Sequence, residues 1–361
     1  MTGKERLLAA LDGKCPDRLP VTTHHLIGSF LENYMGGCSE LEFFKEMGLD
    51  PIIWPSSRVY TPEQEATWRS DKEIIPGEKY YTERLYYHTP EKTLSEVHKY
   101  VDRTIWRAEH LLKEKSDIEI LDRYWPVPTV DKEEIRRIAE ANPDCLIRGT
   151  MFCFAQPGCW QELCGLYGVE NIIMETYDDP DWVKEALAII RDKKLQWADG
   201  LEGCPFDLIE TGGGDASTTV ISPSIFEEFV APYDTPVIKR MREKGQRVVY
   251  HTCGGMMPIL EALADMGPNA LETFTPAAMG GDADLAEAKR RIGDRVCMIG
   301  GFDQFHYFTG CTPEDTRKYV RKCFEEAGAG GGFILSPSDH FFDADPALIR
   351  AFAEEAAKCI Y

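Results

Sequence analysis

Along the chain, short apolar runs rich in β-branched residues alternate with longer stretches whose apolar positions recur every three or four residues. These are the signatures of strands and amphipathic helices. The runs Leu19–Thr23, Pro51–Trp54, Cys145–Thr150, Phe206–Glu210, Arg247–His251, Asn269–Phe274, Arg295–Ile299 and Gly332–Leu335 read as strands. Helical spacing covers Lys4–Leu11, Glu40–Met47, Ser95–Leu112, Asp131–Ala141, Gln161–Tyr167 and Pro180–Gly200. It returns over Ser224–Lys244, Met257–Met266, Leu285–Arg291, Pro313–Ala327 and Pro346–Lys358. Residues 58–90 break the pattern with scattered Glu and Lys, the aromatics Trp68, Tyr80, Tyr81, Tyr86 and Tyr87, and a Pro76-Gly77 turn. They read as an inserted β excursion.

Strands separated by helices must pair in parallel, and eight such units predict a closed (β/α)8 barrel of the TIM type. The N-terminal helix is an extension, and the excursion sits on the rim. A doubly wound open sheet is the alternative. It is disfavoured because no G-x-G-x-x-G follows an early strand, and Gly212–Gly214 lies mid-chain without that spacing. Residues 1–361 are expected to form one domain.

Charge and composition narrow the function. A net charge of −21 argues against nucleic-acid binding, because no cluster of Lys and Arg is present to neutralise phosphates. No apolar run approaches the roughly 20 residues of a membrane span. Met1–Gly13 lacks the apolar core of a signal peptide, and twelve cysteines without one predict a reducing cytoplasm. No C-x-x-C occurs, so an iron–sulfur or zinc-ribbon arrangement is not indicated.

In a barrel of this kind chemistry gathers where strands end. Those positions hold His24 and His25, Trp54, Met151 and Phe152, Glu210 and Asp215, His251 and Cys253, Glu272, Phe302 and Asp303, and Asp339, His340 and Phe341. Asp215, Asp303 and Asp339 each precede helices, where a carboxylate equally serves as a cap. Glu210 closes a strongly apolar strand, which favours a chemical role. Gln246–Gly255, QRVVYHTCGG, is the most informative stretch. Residues two apart in extended chain face the same way, so His251 and Cys253 can converge, and imidazole with thiolate suits zinc. A buried cysteine beside a hydrogen-bonded histidine is the plainer alternative.

Several segments resemble the uroporphyrinogen decarboxylase superfamily: ERLLAALDGKCPDRLPV, ETGGGDASTTVISPSIFEEFVAPY, HTCGG, GDRVCMIGGFDQ and GGFILSPSDHFFDADPALI. Together they span nearly the whole chain, and the resemblance implies a TIM-type barrel. Decarboxylases of the superfamily use arginines in the first loop and an aspartate after the second strand. Here those places read VTTHHLIGSF and IIWPSS. The resemblance is therefore closer to the cobalamin-linked methyltransferases, whose zinc is held by an H-x-C pair after the fifth strand and a cysteine after the eighth. His251 and Cys253 match the pair, whereas SPSDHFF carries Asp339 near the expected cysteine. Asp339, His340, Glu210 or Glu272 would then complete the ligands.

The expectation is a zinc-dependent methyltransferase of a corrinoid-linked methyl-transfer or O-demethylation system, with His251, Glu210 and Asp215 as catalytic candidates. His251, Cys253, Asp339 and His340 are the metal candidates. His24, His25, Trp54, Phe152, Phe302 and Phe341 are the candidates for the substrate pocket. No B12-binding D-x-H-x-x-G occurs, so the corrinoid is expected on a separate protein, and the methyl donor or acceptor is a small molecule. The alternatives are a lyase acting on another carboxylated substrate and a metal-free corrinoid-binding homologue.

Overall fold

The structure is a computed structural model that describes residues 1–101 and 104–361. Seven parallel strands form one curled sheet: β1 (Ile52–Ile53), β6 (Leu146–Thr150), β7 (Leu208–Gly212), β8 (Val248–His251), β9 (Ala270–Thr273), β10 (Cys297–Phe302) and β11 (Phe333–Pro337). Four further strands, β2 (Arg69–Ile74), β3 (Tyr81–His88), β4 (Thr93–Val101) and β5 (Thr104–Glu109), form a separate antiparallel sheet.

Pro20–Thr22 closes the ring between β11 and β1. The Leu335 amide donates to the Pro20 carbonyl at 2.9 Å, and the Thr22 amide donates to the Leu335 carbonyl at 3.0 Å. On the other side the Asp50 amide donates to the Val21 carbonyl at 2.7 Å. The expected strand Leu19–Thr23 is reduced to a single bridge at Val21. Pro20 has no amide hydrogen to pair, and the Val21 amide is taken by the Asp50 carboxylate at 2.9 Å. The result is a TIM-type barrel.

The helix Gly3–Leu11 begins with a capping box from Thr2 and Glu5. Its Leu7 and Leu11 line the barrel interior together with Ile52, Leu146, Leu208, Ile299 and Ile334, leaving a cavity of only about 20 Å³. The same interior space is bounded by His24, Arg148 and Glu272. The apolar packing below thus supports a polar layer above it. Burying that many aliphatic side chains at roughly 1.5–3 kcal/mol each supplies the driving force that offsets the cost of a polar layer.

The helix expected over Ser95–Leu112 is absent. The segment instead supplies β4 and β5, with Asp102 and Arg103 lying outside the described residues. Val97, Tyr100, Val101, Thr104, Ile105 and Trp106 favour strand, and β4 finds a partner on each side in β3 and β5. The segment's charges suggested a polar helix, but Glu96 is buried against Arg107 at 2.7 Å. Among the described residues no helix is long and apolar enough to cross a membrane.

Candidate active site

Parallel pairing assembles the polar layer. β8 lies beside β9 with His251 in register with Glu272, and β6 lies beside β7 with Thr150 in register with Glu210. Side chains two residues apart share a face, so Arg148 on β6 points with Thr150 toward the same level as Glu210. Arg148 Nη2 donates to Glu210 Oε2 at 2.7 Å and to Glu272 Oε1 at 2.5 Å, while Nη1 donates to Glu272 Oε2 at 3.1 Å. Nδ1 of His251 lies 3.0 Å from Glu272 Oε1. A carboxylate only accepts, so this nitrogen carries the hydrogen and the tautomer is set.

His24 follows the closing strand. Its ring stacks on His251 with centroids 5.1 Å apart, and Nδ1 is 4.0 Å from Glu272. His25 turns its edge to His24 and packs on Trp54, with Nε2 3.9 Å from Glu210. His24, Glu210, His251 and Glu272 are all buried, and one ligand atom from each lies within 4.8 Å of the others.

Electrostatics divides these groups. Burial holds the His24 imidazole well below its ordinary range, and it pushes His25 down to about 4 despite Glu210. For His251, burial opposes protonation, but the Cys253 thiol and the Glu272 carboxylate outweigh it, so its pKa is raised. Burial likewise works against the Glu272 carboxylate, and the Arg148 guanidinium overcomes it and keeps Glu272 charged. The layer therefore carries two neutral imidazoles, His24 and His25, and a third, His251, whose protonated form is favoured, beside carboxylates clamped by a guanidinium.

A two-nitrogen, two-oxygen donor set of this kind suits zinc. The His24 ring has no hydrogen-bond partner among the described residues, although it is buried among these groups, and its neutral form is the one a metal requires. His251 has its second partner in Cys253 and its orientation fixed by Glu272, the usual arrangement behind a ligating histidine. The residues present therefore fit a divalent metal, with Arg148 as a competing partner for both carboxylates.

The other candidates separate into four places. Cys253 is half-buried and lies against Gly214, where an added Cβ would come 2.7 Å from its sulfur. His340 Nδ1 is 2.9 Å from the His25 carbonyl oxygen, and its ring centroid is 4.9 Å from that of His24. The Asp339 carboxylate accepts from the His340 amide at 2.7 Å. Asp215 is tied to Gln161 twice, through its carboxylate at 2.7 Å and its amide at 2.6 Å, and burial raises its pKa. Asp303 caps the helix Gln304–Tyr307.

The aromatic candidates part company as well. Phe302 is fully buried against Phe308 and Phe352, and Phe341 packs on Phe30 and Phe308, so both are placed in the aromatic core. Phe152 contacts Trp125 and lines a cavity beneath the excursion. Arg148 was missed by the residue pattern. Its signal was a lone charge inside the apolar run Cys145–Thr150.

Residues 150–359 match the family described as Uroporphyrinogen decarboxylase (URO-D). The uroporphyrinogen decarboxylase of Neisseria meningitidis serogroup C is 30% identical over 134 residues, which is 36% of this chain and 34% of that protein. That of Thioalkalivibrio sulfidiphilus is 25% identical over 193 residues, half of each chain. The chain thus spans between a third and a half of the length of these curated relatives. A methyltransferase from Methanosarcina mazei shares the fold over 99% of both chains, with a TM-score of 0.69 at 20% identity. On the strength of the family match, the chain belongs to the uroporphyrinogen decarboxylase family.

Proposed function

We propose that the protein is a metal-dependent methyltransferase of a corrinoid-linked methyl-transfer or O-demethylation system, acting on a small-molecule donor or acceptor, with the corrinoid on a separate protein. The observation that carries it is the buried set His24, Glu210, His251 and Glu272 at the barrel mouth. The full-length likeness in fold to a methyltransferase supports it.

His24, His251 and the two carboxylates would hold zinc, with Cys253 next to His251. When bound, zinc supplies Lewis acidity toward an ether oxygen or stabilises a thiolate or alkoxide at neutral pH. The chain's own residues do the rest. Glu272 orients the His251 ring through Nδ1, and the proton that the Cys253 and Glu272 contacts favour on Nε2 would be displaced by a metal bound there. Arg148 holds the carboxylates in place and limits their combined negative charge. Trp54, packed against His25, excludes water from that side. Asp215, whose raised pKa follows from its burial, can carry a proton beside the mouth, held in place by Gln161.

A second possibility follows from Arg148. A guanidinium already shared by both carboxylates is also what a metal-free site would use, and this favours a lyase acting on another carboxylated substrate. Incubation of the zinc-supplemented protein with cob(I)alamin and a series of methyl ethers and methyl thioethers distinguishes the two. Methylcobalamin forming in proportion to enzyme supports the transferase. Carbon dioxide released from a carboxylated substrate with no methylcobalamin would replace it with the lyase.

A further inference from the structure

A cavity of about 770 Å³ lies between the antiparallel sheet and the barrel. We infer that it is a binding site for an aromatic carboxylate, a function that goes beyond the methyl transfer proposed above and needs neither metal nor corrinoid. Three observations point there.

The first is a continuous aromatic wall. Trp68 and Tyr87 from the excursion have centroids 5.3 Å apart, and each contacts Phe154, at 6.0 and 5.5 Å. Phe154 contacts Trp125 at 5.1 Å, and Trp125 contacts Phe152 at the same distance. All five side chains line the cavity. Ring faces and edges at this spacing offer stacking and edge contacts to a flat ligand, worth about 0.5–1.5 kcal/mol per pair beyond area burial.

The second is charge. Arg58 and Arg69 also line the cavity, and among the described residues neither guanidinium has a carboxylate partner. In a chain with 61 acidic and 40 basic residues, two unpaired guanidiniums on one cavity are unusual. Of the acidic lining residues, Glu96 is paired with the Arg107 guanidinium at 2.7 Å, lies 3.3 Å from His98 Nε2, and accepts from the Tyr87 hydroxyl at 3.0 Å. Glu65 is exposed on the rim. A planar carboxylate matches the guanidinium fork.

The third is position. Phe152 and Cys153 lie one residue beyond the end of β6, the strand whose Arg148 holds Glu210 and Glu272. The cavity is thus reached from the C-terminal end of a barrel strand, where the chemistry of such folds gathers. The loop they sit on is fixed from below: the fully buried pair Lys194–Glu162 is 3.2 Å apart, and Glu162 accepts from the Phe154 and Ala155 amides at 2.8 and 3.2 Å.

Isothermal titration calorimetry with 2-naphthoate tests the site, with cyclohexanecarboxylate and 2-naphthalenemethanol as the non-aromatic and uncharged comparisons. The expected result is saturable binding of 2-naphthoate, with either comparison at least about tenfold weaker. The double variant Arg58→Gln/Arg69→Gln should weaken 2-naphthoate by about tenfold or more while leaving the thermal transition in place, since both side chains are exposed. Trp68→Leu should weaken it as well, and Arg317→Gln, on an outer helix, should not. Binding should persist in EDTA. Equal binding of the three compounds, indifference to the double variant, or loss on chelation would overturn the assignment, the last by moving the carboxylate onto the metal cluster. Methyl transfer without 2-naphthoate binding would likewise refute the pocket and leave the transferase standing, whereas binding without methyl transfer would do the reverse.

Discussion

Arg148 and Glu272 are 124 positions apart in sequence and form a two-pronged ion pair inside the barrel, with Nη2 2.5 Å from Oε1 and Nη1 3.1 Å from Oε2. Both side chains are about 3% exposed, so neither charge is relieved by water. Glu210 shares the same guanidinium. A divalent metal and Arg148 thus answer the same need, compensation of two buried carboxylates.

Removing the cation tests that competition. Arg148→Met should cost about 3–5 kcal/mol in urea unfolding with chelator present, because it strands two buried carboxylates. Added zinc should restore more stability to the variant than it adds to the native chain, by mass action on a site freed of its rival. Equal zinc effects on the two proteins would show that metal and arginine do not compete.

The two cysteines that most invite comparison should behave oppositely. Cys253→Ala removes a partner of His251 from a half-buried position, and is expected to lower zinc affinity while leaving unfolding nearly unchanged. Cys297→Ala empties space in the interior strand β10 and should cost about 1 kcal/mol with zinc content unaltered. Metal titration and thermal unfolding of both variants give the two readouts, and loss of zinc from Cys297→Ala alone would reverse the assignment.

Lys194 and Glu162 form a second buried pair, with both side chains essentially inaccessible. Lys194→Met should destabilise by about 3–5 kcal/mol, since the buried Glu162 loses its cation and keeps only the two backbone amides as partners. The double change Lys194→Met/Glu162→Leu should recover part of that loss, though the Phe154 and Ala155 amides then lose their acceptor. A double variant less stable than the sum of the single changes would contradict the pairing.

Low pH should loosen the antiparallel sheet first. The Lys72 ammonium at 2.8 Å and the hydroxyls of Tyr100 at 2.6 Å and Tyr81 at 2.8 Å hold the Glu83 pKa down to about 2. A depressed carboxylate contributes stability that is present above its unfolded pKa of about 4.3 and is lost as pH falls toward the folded value. Hydrogen exchange of β3 and β4 amides should accelerate between those limits, and Glu83→Gln should flatten the change. An unaltered pH profile in that variant would remove Glu83 as its source.

Residue pattern alone exposed much of this site. Glu210, His251 and Glu272 were visible because each is a polar residue at or near the end of an apolar run, and His24 because the strand-like run Leu19–Thr23 ends on it. Arg148 was hidden because its strand reads as plain core, and only the pairing of β6 with β7 and the curl of the sheet that brings β9 opposite show that Glu210 and Glu272 compensate it. Ser95–Leu112 misled because its charged residues are sheet residues with partners across strands, which local spacing does not record. Phe302 and Phe341 stand at strand ends in sequence, yet β10 continues through Phe302 and both rings are drawn into the core.

The most direct test is the metal content of protein purified without chelator, measured by inductively coupled plasma mass spectrometry on the native chain and on Glu272→Ala and His24→Ala. About one zinc per chain is expected in the native protein, with a large loss in both variants and no loss in Arg317→Gln. A native protein without metal after zinc supplementation, or one whose zinc survives both substitutions, would contradict the assignment of His24, Glu210, His251 and Glu272 as a metal centre.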